Sequence, residues 1–510
     1  MDDAPPSVPP TTPAPLALPA PRHHDVVVIG AGFGGLGMGI QLKRAGRHDF
    51  VIVDQHVGVG GTWHANRYPG AACDIPSLLY SFSFAPNARW TRNYPGQQEI
   101  EAYLGDCVQR FGLGPHLRMR TRVAGIEWDD VTQRWTIRAE QRGGACVEWT
   151  ARVVVNATGG LSRPKMPDLP GLAEFAGTVM HTARWHGEVP LEGKRIAVIG
   201  TGASAIQLVP QLVDKAARVV LFQRTPAWIL PRRERVFTPA ERWLYAHVPG
   251  LRRAARALAY AAHELRAPGF VWQPRILQSL EPLVLARLAR HVRDPALREA
   301  LTPRYRMGCK RVLISNDFYP AMQRRNVQLV TTPVERVVAD GVITADGTRH
   351  PLDVLVMATG FQAADAMAPY PVRGRRGAEL NQVWRDGARA YLGTTVPGFP
   401  NLFLIVGPNT GLGHNSMVVM IESQIRYVID ALARMDRARL AGVDAKADVA
   451  AAFNERLQQR MKRTVWSTGG CTSWYHSKSG LITTLWPGTT LEYRLRTRRF
   501  RLADYEPLRA

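Results

Sequence analysis

Residues 26–35 read VVVIGAGFGG, an apolar run that ends in a glycine-rich turn. Residues 196–205 read IAVIGTGASA and repeat this pattern 170 residues later. An apolar strand, a tight glycine turn and a helix make up a dinucleotide-binding unit, in which the turn approaches the phosphates. The chain is therefore predicted to hold two such units. The expected phosphate contacts are Gly30, Gly32 and Gly35 in the first loop and Gly200, Thr201, Gly202 and Ser204 in the second.

The residue that follows the second strand of each unit differs in charge. Residues 50–53 are followed by Asp54, whereas residues 218–222 are followed, after one further residue, by Arg224. An acid at this position binds a ribose 2′-hydroxyl, and a base there can hold a 2′-phosphate. The first unit therefore suits FAD and the second suits NADPH. A protein that holds both is built to move a hydride between them.

Composition narrows the class of protein. The chain has 510 residues, which is enough for two or three domains, and its apolar fraction of 45% is ordinary for a globular protein. No apolar run approaches the ~18 residues that a membrane span needs. The first 24 residues contain eight prolines and are predicted to form a disordered tail. They do not resemble a signal peptide, because they lack a basic start and a long apolar core.

The cysteines argue against two further classes. They are Cys73, Cys107, Cys146, Cys309 and Cys471, and no two of them form a CxxC pair. This spacing disfavours a metal site, a redox dithiol and a disulfide reductase, the other common class that uses FAD with NADPH. It fits a reducing compartment, and we expect a cytoplasmic protein.

The net charge of +23 comes largely from arginines that are spread along the chain. No aromatic–basic RNA motif or recognition helix accompanies them, so nucleic-acid binding is disfavoured. A solvated surface that attracts anionic cofactors is the simpler interpretation. Two basic segments, residues 251–256 and 494–501, are candidates for weak contact with an acidic membrane surface.

The order of patterns predicts an α/β fold with two Rossmann-like dinucleotide-binding domains. Each glycine loop is followed by a meander that ends in Ala-Thr-Gly, at residues 157–159 and 358–360. The second domain is nested in the first, since the chain must return to the FAD domain afterwards. A stretch rich in Ala, Leu and Arg has helical periodicity, and residues 466–500 return to strand-like alternation. The predicted boundaries are 1–24 for the tail, 25–160 and 361–510 for the FAD-binding domain, 161–231 and 306–360 for the NADPH-binding domain, and 232–305 for a helical insertion.

Two further motifs connect the chain with a known family. Residues 175–185 fit FxGxxxHxxxW, and residues 61–74 fit GxWxxxx(Y/F)PGxxxD. With these motifs the chain resembles the flavin-dependent Baeyer–Villiger monooxygenases, a branch of the flavin-containing monooxygenases, over about residues 25–490. Trp185 favours this branch over the N- and S-oxygenating relatives, which carry Tyr or Phe there. His186 departs from the Pro or Asp that the family usually has. The fixed positions of the shorter motif are Phe175, Gly177, His181 and Trp185.

The resemblance implies a reaction that needs NADPH, O₂ and a ketone, and no metal. NADPH reduces the flavin, O₂ adds to the reduced ring as a C4a-peroxide, and attack on the ketone carbonyl leads to an ester or lactone. A fixed cation beside the flavin should stabilise the oxyanion that forms. Similar enzymes place a catalytic arginine after a lysine at this point of the chain, which indicates Arg311, with Asp74 as the carboxylate that holds it.

The resemblance also assigns the other site residues. Lys310, Arg224 and Thr225 are expected to grip the 2′-phosphate of NADPH. His181 is expected to serve domain movement in the linker rather than proton transfer. The remaining expected cofactor contacts are Thr62, Trp63, Tyr80, Val123, Met417 and Trp474, together with Asp74. Four more side chains are candidates for lining the substrate pocket, with core packing as the simpler interpretation: His414, Trp466, Trp486 and His476.

Two other functions stay open from the sequence. N- or S-oxygenation uses the protonated peroxide and does not need the arginine cation. A flavin NADPH oxidase would consume O₂ without any organic substrate. Among ketones, the motifs do not choose between cyclic, linear, aryl and steroid substrates.

Overall fold

The computed structural model describes residues 22–362, 368–477 and 479–509. Its strands are β1 (Arg22–Ile29), β2 (Phe50–Val53), β3 (Leu117–Arg118), β4 (Thr121–Asp129), β5 (Arg134–Gln141), β6 (Cys146–Asn156), β7 (Thr178–His181), β8 (Arg195–Ile199), β9 (Arg218–Phe222), β10 (Ile229–Leu230), β11 (Leu313–Ile314), β12 (Val327–Val330), β13 (Val334–Val338), β14 (Gly341–Thr344), β15 (Arg349–Pro351), β16 (Val354–Met357), β17 (Val372–Arg373), β18 (Leu402–Leu404), β19 (Leu440–Ala445) and β20 (Tyr505–Arg509). Its α-helices are α1 (Phe33–Arg44), α2 (Thr62–Ala65), α3 (Gln97–Arg110), α4 (Ala203–Leu212), α5 (Pro239–His247), α6 (Leu251–Glu264), α7 (Ala267–Val271), α8 (Arg275–Gln278), α9 (Glu281–His291), α10 (Pro295–Ala300), α11 (Phe318–Met322), α12 (Leu380–Val383), α13 (Met417–Arg437), α14 (Ala447–Met461), α15 (Val465–Thr468) and α16 (Thr490–Arg496).

The first sheet is built around β1. Its strand order is β17-β4-β5-β6-β1-β2-β3, and β18 pairs with β6. Strands β6, β1, β2 and β3 run parallel, whereas β4, β5 and β6 form an antiparallel meander. Residues 26–29 of β1 are buried on both faces, as a central parallel strand requires. Val26 and Val28 pack towards α1 and α13, and Val27 and Ile29 pack towards β5.

The second sheet has five parallel strands in the order β12-β9-β8-β16-β7. Helices α4 and α11 cover one face, and the antiparallel meander β13-β14-β15 follows β12. After β16 the chain returns to the first sheet through β17 and β18. The second dinucleotide-binding fold is thus nested in the first, as the sequence predicts.

The two glycine loops are built alike. The backbone N–H of Gly30 and that of Gly200 each donate to the last carbonyl of the next strand, at 2.8 and 3.0 Å. Both glycines have positive φ, +109° and +110°. A Cβ at Gly30 would lie 2.5 Å from the carbonyl oxygen of Ala157, and one at Gly200 would lie 2.6 Å from that of Ala358. Both positions therefore require glycine, and the two Ala-Thr-Gly segments have the same structural role.

The chain crosses between the two folds twice, and the two crossings are paired. Residues 163–165 run antiparallel to residues 360–362. The N–H of Lys165 donates to the carbonyl of Gly360 at 2.9 Å, and the N–H of Gln362 donates to the carbonyl of Arg163 at 3.0 Å. We call residues 163–165 and 360–362 the linker ribbon.

The structure agrees with some of the local predictions and contradicts others. Helices α5 to α10 occupy the predicted insertion. The predicted tail lies outside the described residues up to residue 21, and residues 22–24 already belong to β1. The strand-like prediction for residues 466–500 is wrong, because this segment holds α15 and α16. Thr489 caps α16 by accepting a hydrogen bond from the N–H of Glu492, and the aromatic residues there are spaced for core packing. No helix in the described ranges is long and apolar enough to cross a membrane.

Candidate active site

Arg311 and Asp74 form a bidentate ion pair, although 237 positions separate them. Nε of Arg311 donates to Oδ2 of Asp74 at 2.8 Å, and Nη2 donates to Oδ1 at 2.7 Å. Asp74 raises the pKa of the Arg311 guanidinium above its already high value, so the group is a permanent cation. Nη1 stays outside the pair. The structure thus brings together the two residues that were predicted to be catalytic.

The C-terminal segment that follows Cys471 lies against this pair. Tyr475 is buried, and burial raises its pKa to about 12, while the charge of Arg311 acts in the opposite direction. The ring of Trp474 packs against that of Tyr475 with centroids 4.5 Å apart, and Trp474 stays 46% exposed. The predicted cofactor contact at Trp474 therefore lies next to the Arg311 site with part of its indole free. Tyr475 was not predicted, because no motif position marks it.

A disulfide joins Cys309 to Cys471 across 162 positions. It connects the loop that carries Arg311 to the loop that carries Trp474. The sequence analysis disfavoured a redox dithiol and did not find this pair, because CxxC spacing identifies only partners that are neighbours in sequence. Cys73, Cys107 and Cys146 are free. The cytoplasmic location stays a prediction.

Asp54 closes the first glycine loop. Its Oδ2 accepts the backbone N–H of Ala31 at 2.7 Å, and its Oδ1 accepts that of His56 at 2.8 Å. A carboxylate offers about four acceptor positions, so each oxygen keeps capacity for a ribose hydroxyl. Val123 lies nearby on β4, two residues after Thr121, whose N–H donates to the carbonyl of Asp54 at 2.9 Å. These residues fit the ribose end of FAD.

An aromatic group connects the first glycine loop with the ion pair. Nε1 of Trp63, in the short helix that Thr62 begins, donates to the hydroxyl of Tyr80 at 3.0 Å. The ring of Tyr80 also lies 5.1 Å from that of Phe33, the first residue of α1. Burial raises the pKa of Tyr80. The backbone N–H of Tyr80 donates to the carbonyl of Pro76 at 2.8 Å, in the turn that follows Asp74. The predicted flavin contacts Trp63 and Tyr80 therefore lie between the first glycine loop and the segment that carries Asp74.

Met417 is the first residue of α13, as predicted. Ser416 caps this helix, because its Oγ accepts the N–H of Val418 at 3.3 Å. The helix packs against α1 and is 21 residues long. Its N-terminus therefore provides the partial positive charge that was expected to face the flavin.

The second glycine loop lies beside two unpaired cations. Oγ1 of Thr201 donates to the carbonyl of Thr225 at 2.8 Å, and a Cβ at Gly202 would meet no atom within 4 Å. Burial lowers the pKa of Lys310, and the charge of Arg224 lowers it further. The segments that carry these two cations are joined, because the N–H of Leu313 donates to the carbonyl of Trp228 at 2.9 Å. Neither forms an ion pair with a residue that the structure describes. Two adjacent cations without a counter-charge fit a bound phosphate, as the sequence predicts for the 2′-phosphate of NADPH.

The Tyr-Pro-Gly turn of the longer motif holds the two folds together. The hydroxyl of Tyr68 donates to Oε1 of Gln207 on α4 at 2.8 Å, and Nε2 of Gln207 donates to the carbonyl of Ala72 at 3.0 Å. Helix α4, whose second residue is Ser204, is thus docked on the segment that carries Asp74. Gln207 was not predicted, and its only signal in the sequence is a polar side chain in an apolar helix.

His181 lies at the junction with the linker ribbon. It ends β7, where it pairs with β16, and its ring lies 6.0 Å from that of Phe361. Nδ1 accepts the N–H of Ala183 at 3.0 Å, and burial lowers the pKa of His181. The imidazole is therefore neutral at physiological pH. Phe175 lies in the core on one face of the second sheet, and Trp185 packs against the core on the other face. Gly177 lies against the backbone of Asp353.

The four candidates for the pocket lining are mostly core residues. Trp466 and Trp486 are buried, and burial lowers the pKa of His414 to about 4. The rings of His414 and Trp466 lie 6.1 and 6.3 Å from that of Phe270 in the helical insertion. His476 lies next to Ser473 in the C-terminal segment.

Known proteins are similar to this chain in sequence and in fold. The family model described as pyridine nucleotide-disulphide oxidoreductase matches residues 27–236. A Baeyer-Villiger monooxygenase of Streptomyces coelicolor is 47% identical over 96% of this chain and 93% of its own length. The chain belongs to the Baeyer–Villiger monooxygenases. A second relative of that name, from Pseudomonas aeruginosa, is 44% identical over 97% of this chain and 93% of its own length.

A solved structure agrees with this assignment. Cyclohexanone monooxygenase from Rhodococcus sp. Phi1, bound to NADP⁺, superposes with a TM-score of 0.86 at 29% identity, over 96% of this chain and all of that one. The comparisons confirm the predicted family, the nested pair of dinucleotide-binding domains, the cofactors FAD and NADPH, and the monooxygenase class. The roles of the individual site residues stay predictions.

Proposed function

We propose that this monooxygenase inserts oxygen next to a ketone carbonyl and that Arg311, held by Asp74, stabilises the oxyanion. The bidentate ion pair between these two side chains carries the proposal. When bound, FAD and NADPH supply the hydride and activate O₂. The protein must then stabilise negative charge on the former carbonyl oxygen, and a fixed cation does this without a proton transfer.

The geometry of the pair suits that role. Asp74 engages Nε and Nη2 of Arg311 and fixes the plane of the guanidinium, and Nη1 remains for a substrate oxygen. Because the cation is fixed before substrate arrives, it needs no reorganisation as the charge develops. The disulfide brings the segment with Tyr475 to the loop that carries Arg311, and bound cofactor and substrate would complete the shielding of the pair from water.

The remaining predicted residues take supporting roles in this proposal. Lys310 and Arg224 bind the 2′-phosphate and select NADPH over NADH. His181 is neutral and lies behind the linker ribbon, which supports a conformational role rather than proton transfer. The substrate partners are O₂ and a ketone. Cyclic and steroid ketones are the first substrates to test, since solved neighbours are named cyclohexanone monooxygenase and steroid monooxygenase.

The test compares Arg311→Ala and Arg311→Lys on two substrates, a cyclic ketone and an organic sulfide. We expect Arg311→Ala to lower kcat for the ketone by about 10²–10³-fold, as loss of an oxyanion donor does elsewhere. Sulfoxidation should change by less than about tenfold, because it does not generate an oxyanion on the substrate. Arg304→Ala is the matched control, since that arginine lies seven residues earlier and its side chain is 85% exposed.

Three results would overturn the proposal. Ketone oxygenation that persists undiminished in Arg311→Ala would remove the cation from the mechanism. Sulfoxidation without any ketone oxygenation by the native protein would favour an N- or S-oxygenase. Steady release of H₂O₂ with every ketone and sulfide tried would identify an NADPH oxidase instead.

A further inference from the structure

Helix α6 presents its apolar side to solvent. Its exposed positions lie on one face and are apolar apart from Arg253: Leu251, Ala254, Ala257, Leu258, Ala261 and Ala262, followed by Leu265 just after the helix. Leu258 is 72% exposed and Leu265 is 79% exposed. A surface helix of a globular protein normally shows the opposite arrangement, with its apolar face on the core.

The polar side of α6 is the side that packs on the protein. Nη1 of Arg256 donates to the carbonyls of Leu78 and Ser81, both at 2.8 Å. His263 is buried, and Glu264 accepts the N–H of Leu491 at 2.8 Å. These bonds fix the rotation of the helix about its axis. The apolar face is therefore directed outward by the fold and is not a result of loose packing.

Neighbouring helices extend this surface. Helix α16 lies beside α6, because Oγ1 of Thr490 donates to the hydroxyl of Tyr260 at 2.9 Å. Exposed leucines and a tryptophan occur on α16 and on α5, which precedes α6. We call the following set the apolar patch: Trp243, Leu244, Leu251, Leu258, Leu265, Leu491 and Leu495. Ten of the 19 large apolar residues that are exposed in the described chain lie between residues 243 and 283.

The charges around the apolar patch are mostly positive. Residues 242–290 contain eight arginines and two acids, Glu264 and Glu281, which gives a net charge of 8 − 2 = +6. Both acids are already engaged, Glu264 with Thr490 and Glu281 with Arg306. Arg253, on the same helix, forms no ion pair with any residue in the described ranges. Two further acids lie on the helices of the patch, and both are bonded to arginines, Glu241 to Arg235 and Glu492 to Arg460 and Arg496. Every carboxylate on α5, α6, α9 and α16 is therefore engaged, whereas Arg253 is not.

Two occupants could cover such a surface, and charge distinguishes them. In a symmetric dimer the same patch faces itself, so the arginines of one copy would meet those of the other. An anionic bilayer instead offers hydrocarbon to the leucines and phosphate groups to the arginines, and Trp side chains favour the boundary between the two. We propose that the apolar patch, with its surrounding arginines, docks the enzyme on the surface of anionic lipid membranes. This inference is independent of the proposed ketone chemistry.

The test uses the full-length, flavin-loaded protein and co-sedimentation with vesicles. The vesicles consist of phosphatidylcholine alone or of phosphatidylcholine with phosphatidylglycerol. We expect binding to the anionic vesicles, little binding to the neutral ones, and weaker binding as salt rises. The double variant Leu258→Glu/Leu265→Glu should lower the binding constant at least about tenfold, since two exposed leucines no longer enter the interface. Val131→Glu is the matched control, because Val131 is 91% exposed in the turn between β4 and β5.

Flavin content and size-exclusion chromatography complete the experiment. Retained flavin in the double variant shows that the fold is intact, as expected for residues that touch little else. Absence of binding to anionic vesicles, even at low salt, would overturn the proposal. So would a double variant that binds as well as the native enzyme. A native dimer that the double variant converts to monomer would assign the patch to a second copy and would also overturn it.

Discussion

Loss of the disulfide between Cys309 and Cys471 should lower the free energy of unfolding by an amount that depends on the length of the loop it closes. Removing it with the double variant Cys309→Ala/Cys471→Ala releases a loop that spans 162 positions. In the chain-entropy model, closing a loop of that length stabilises the folded state by about 5 kcal/mol at 25 °C. Measured values commonly fall below this limit, and we expect a loss of about 3–5 kcal/mol.

The corresponding shift in melting temperature is small, because the chain is long. With ~2.1 cal/mol/K of unfolding entropy per residue, 510 residues give about 1 kcal/mol/K. The double variant should therefore melt about 3–5 °C below the native protein, and reduction of the native protein should have the same effect. Flavin fluorescence during a thermal ramp measures the shift. Cys146→Ala, which removes an exposed free cysteine, is the control and should leave it unchanged.

The number of reactive thiols shows directly whether the disulfide between Cys309 and Cys471 forms. Protein purified without reductant and then denatured should react with a thiol reagent at three cysteines, and at five after reduction, since only Cys73, Cys107 and Cys146 are free. Five reactive thiols before reduction would refute the reasoning. A melting temperature that reduction does not change would do the same for the stability argument.

Two further predictions concern the second dinucleotide-binding fold. Arg224→Ala should raise KM for NADPH by about 10–150-fold and leave KM for NADH almost unchanged, because a charged phosphate contact is worth about 1.5–3 kcal/mol. Steady-state kinetics with both nucleotides measures this, and equal effects on both would contradict the assignment. Bonds from Arg195 lower the pKa of Asp353 from 3.8 to about 2. Because the folded-state pKa is depressed, this pair stabilises the protein above pH 3.8 and loses its effect as pH falls towards 2. After allowance for solvent screening, Asp353→Asn should cost about 1 kcal/mol at neutral pH, with a difference in urea midpoint that shrinks on acidification.

The features that could be predicted from the sequence depend on local patterns. The two glycine loops and Asp54 occur within short stretches whose spacing follows from strand and helix geometry. Arg311 and Asp74 came from motifs, and the structure brings them together although nothing in their separate neighbourhoods requires it. Helical periodicity located the insertion, but it does not indicate which face of a helix packs on the protein. In α6 the packed face is fixed by Arg256, which donates to carbonyls of a loop about 175 residues earlier in the chain.

Long-range pairings explain most of the features that were missed. The disulfide joins two loops whose cysteines are 162 positions apart, so no spacing rule could find it. Gln207 holds the Tyr68 turn through bonds that cross from one fold to the other. The wrong strand prediction for residues 466–500 has a different cause, since aromatic residues in irregular segments can imitate alternation when they pack on a core.

The linker ribbon has a consequence for how this protein can be taken apart and rebuilt. Where the chain leaves the outer fold and where it comes back, the backbone atoms of Arg163 and Gln362 are joined by one hydrogen bond of 3.0 Å. A guest module whose two ends are adjacent places no strain on its host, and chains tolerate such insertions well. The nicotinamide-nucleotide module is therefore exchangeable in principle: a related module with equally close ends could be spliced between these two positions, leaving the strand order of the host sheet intact.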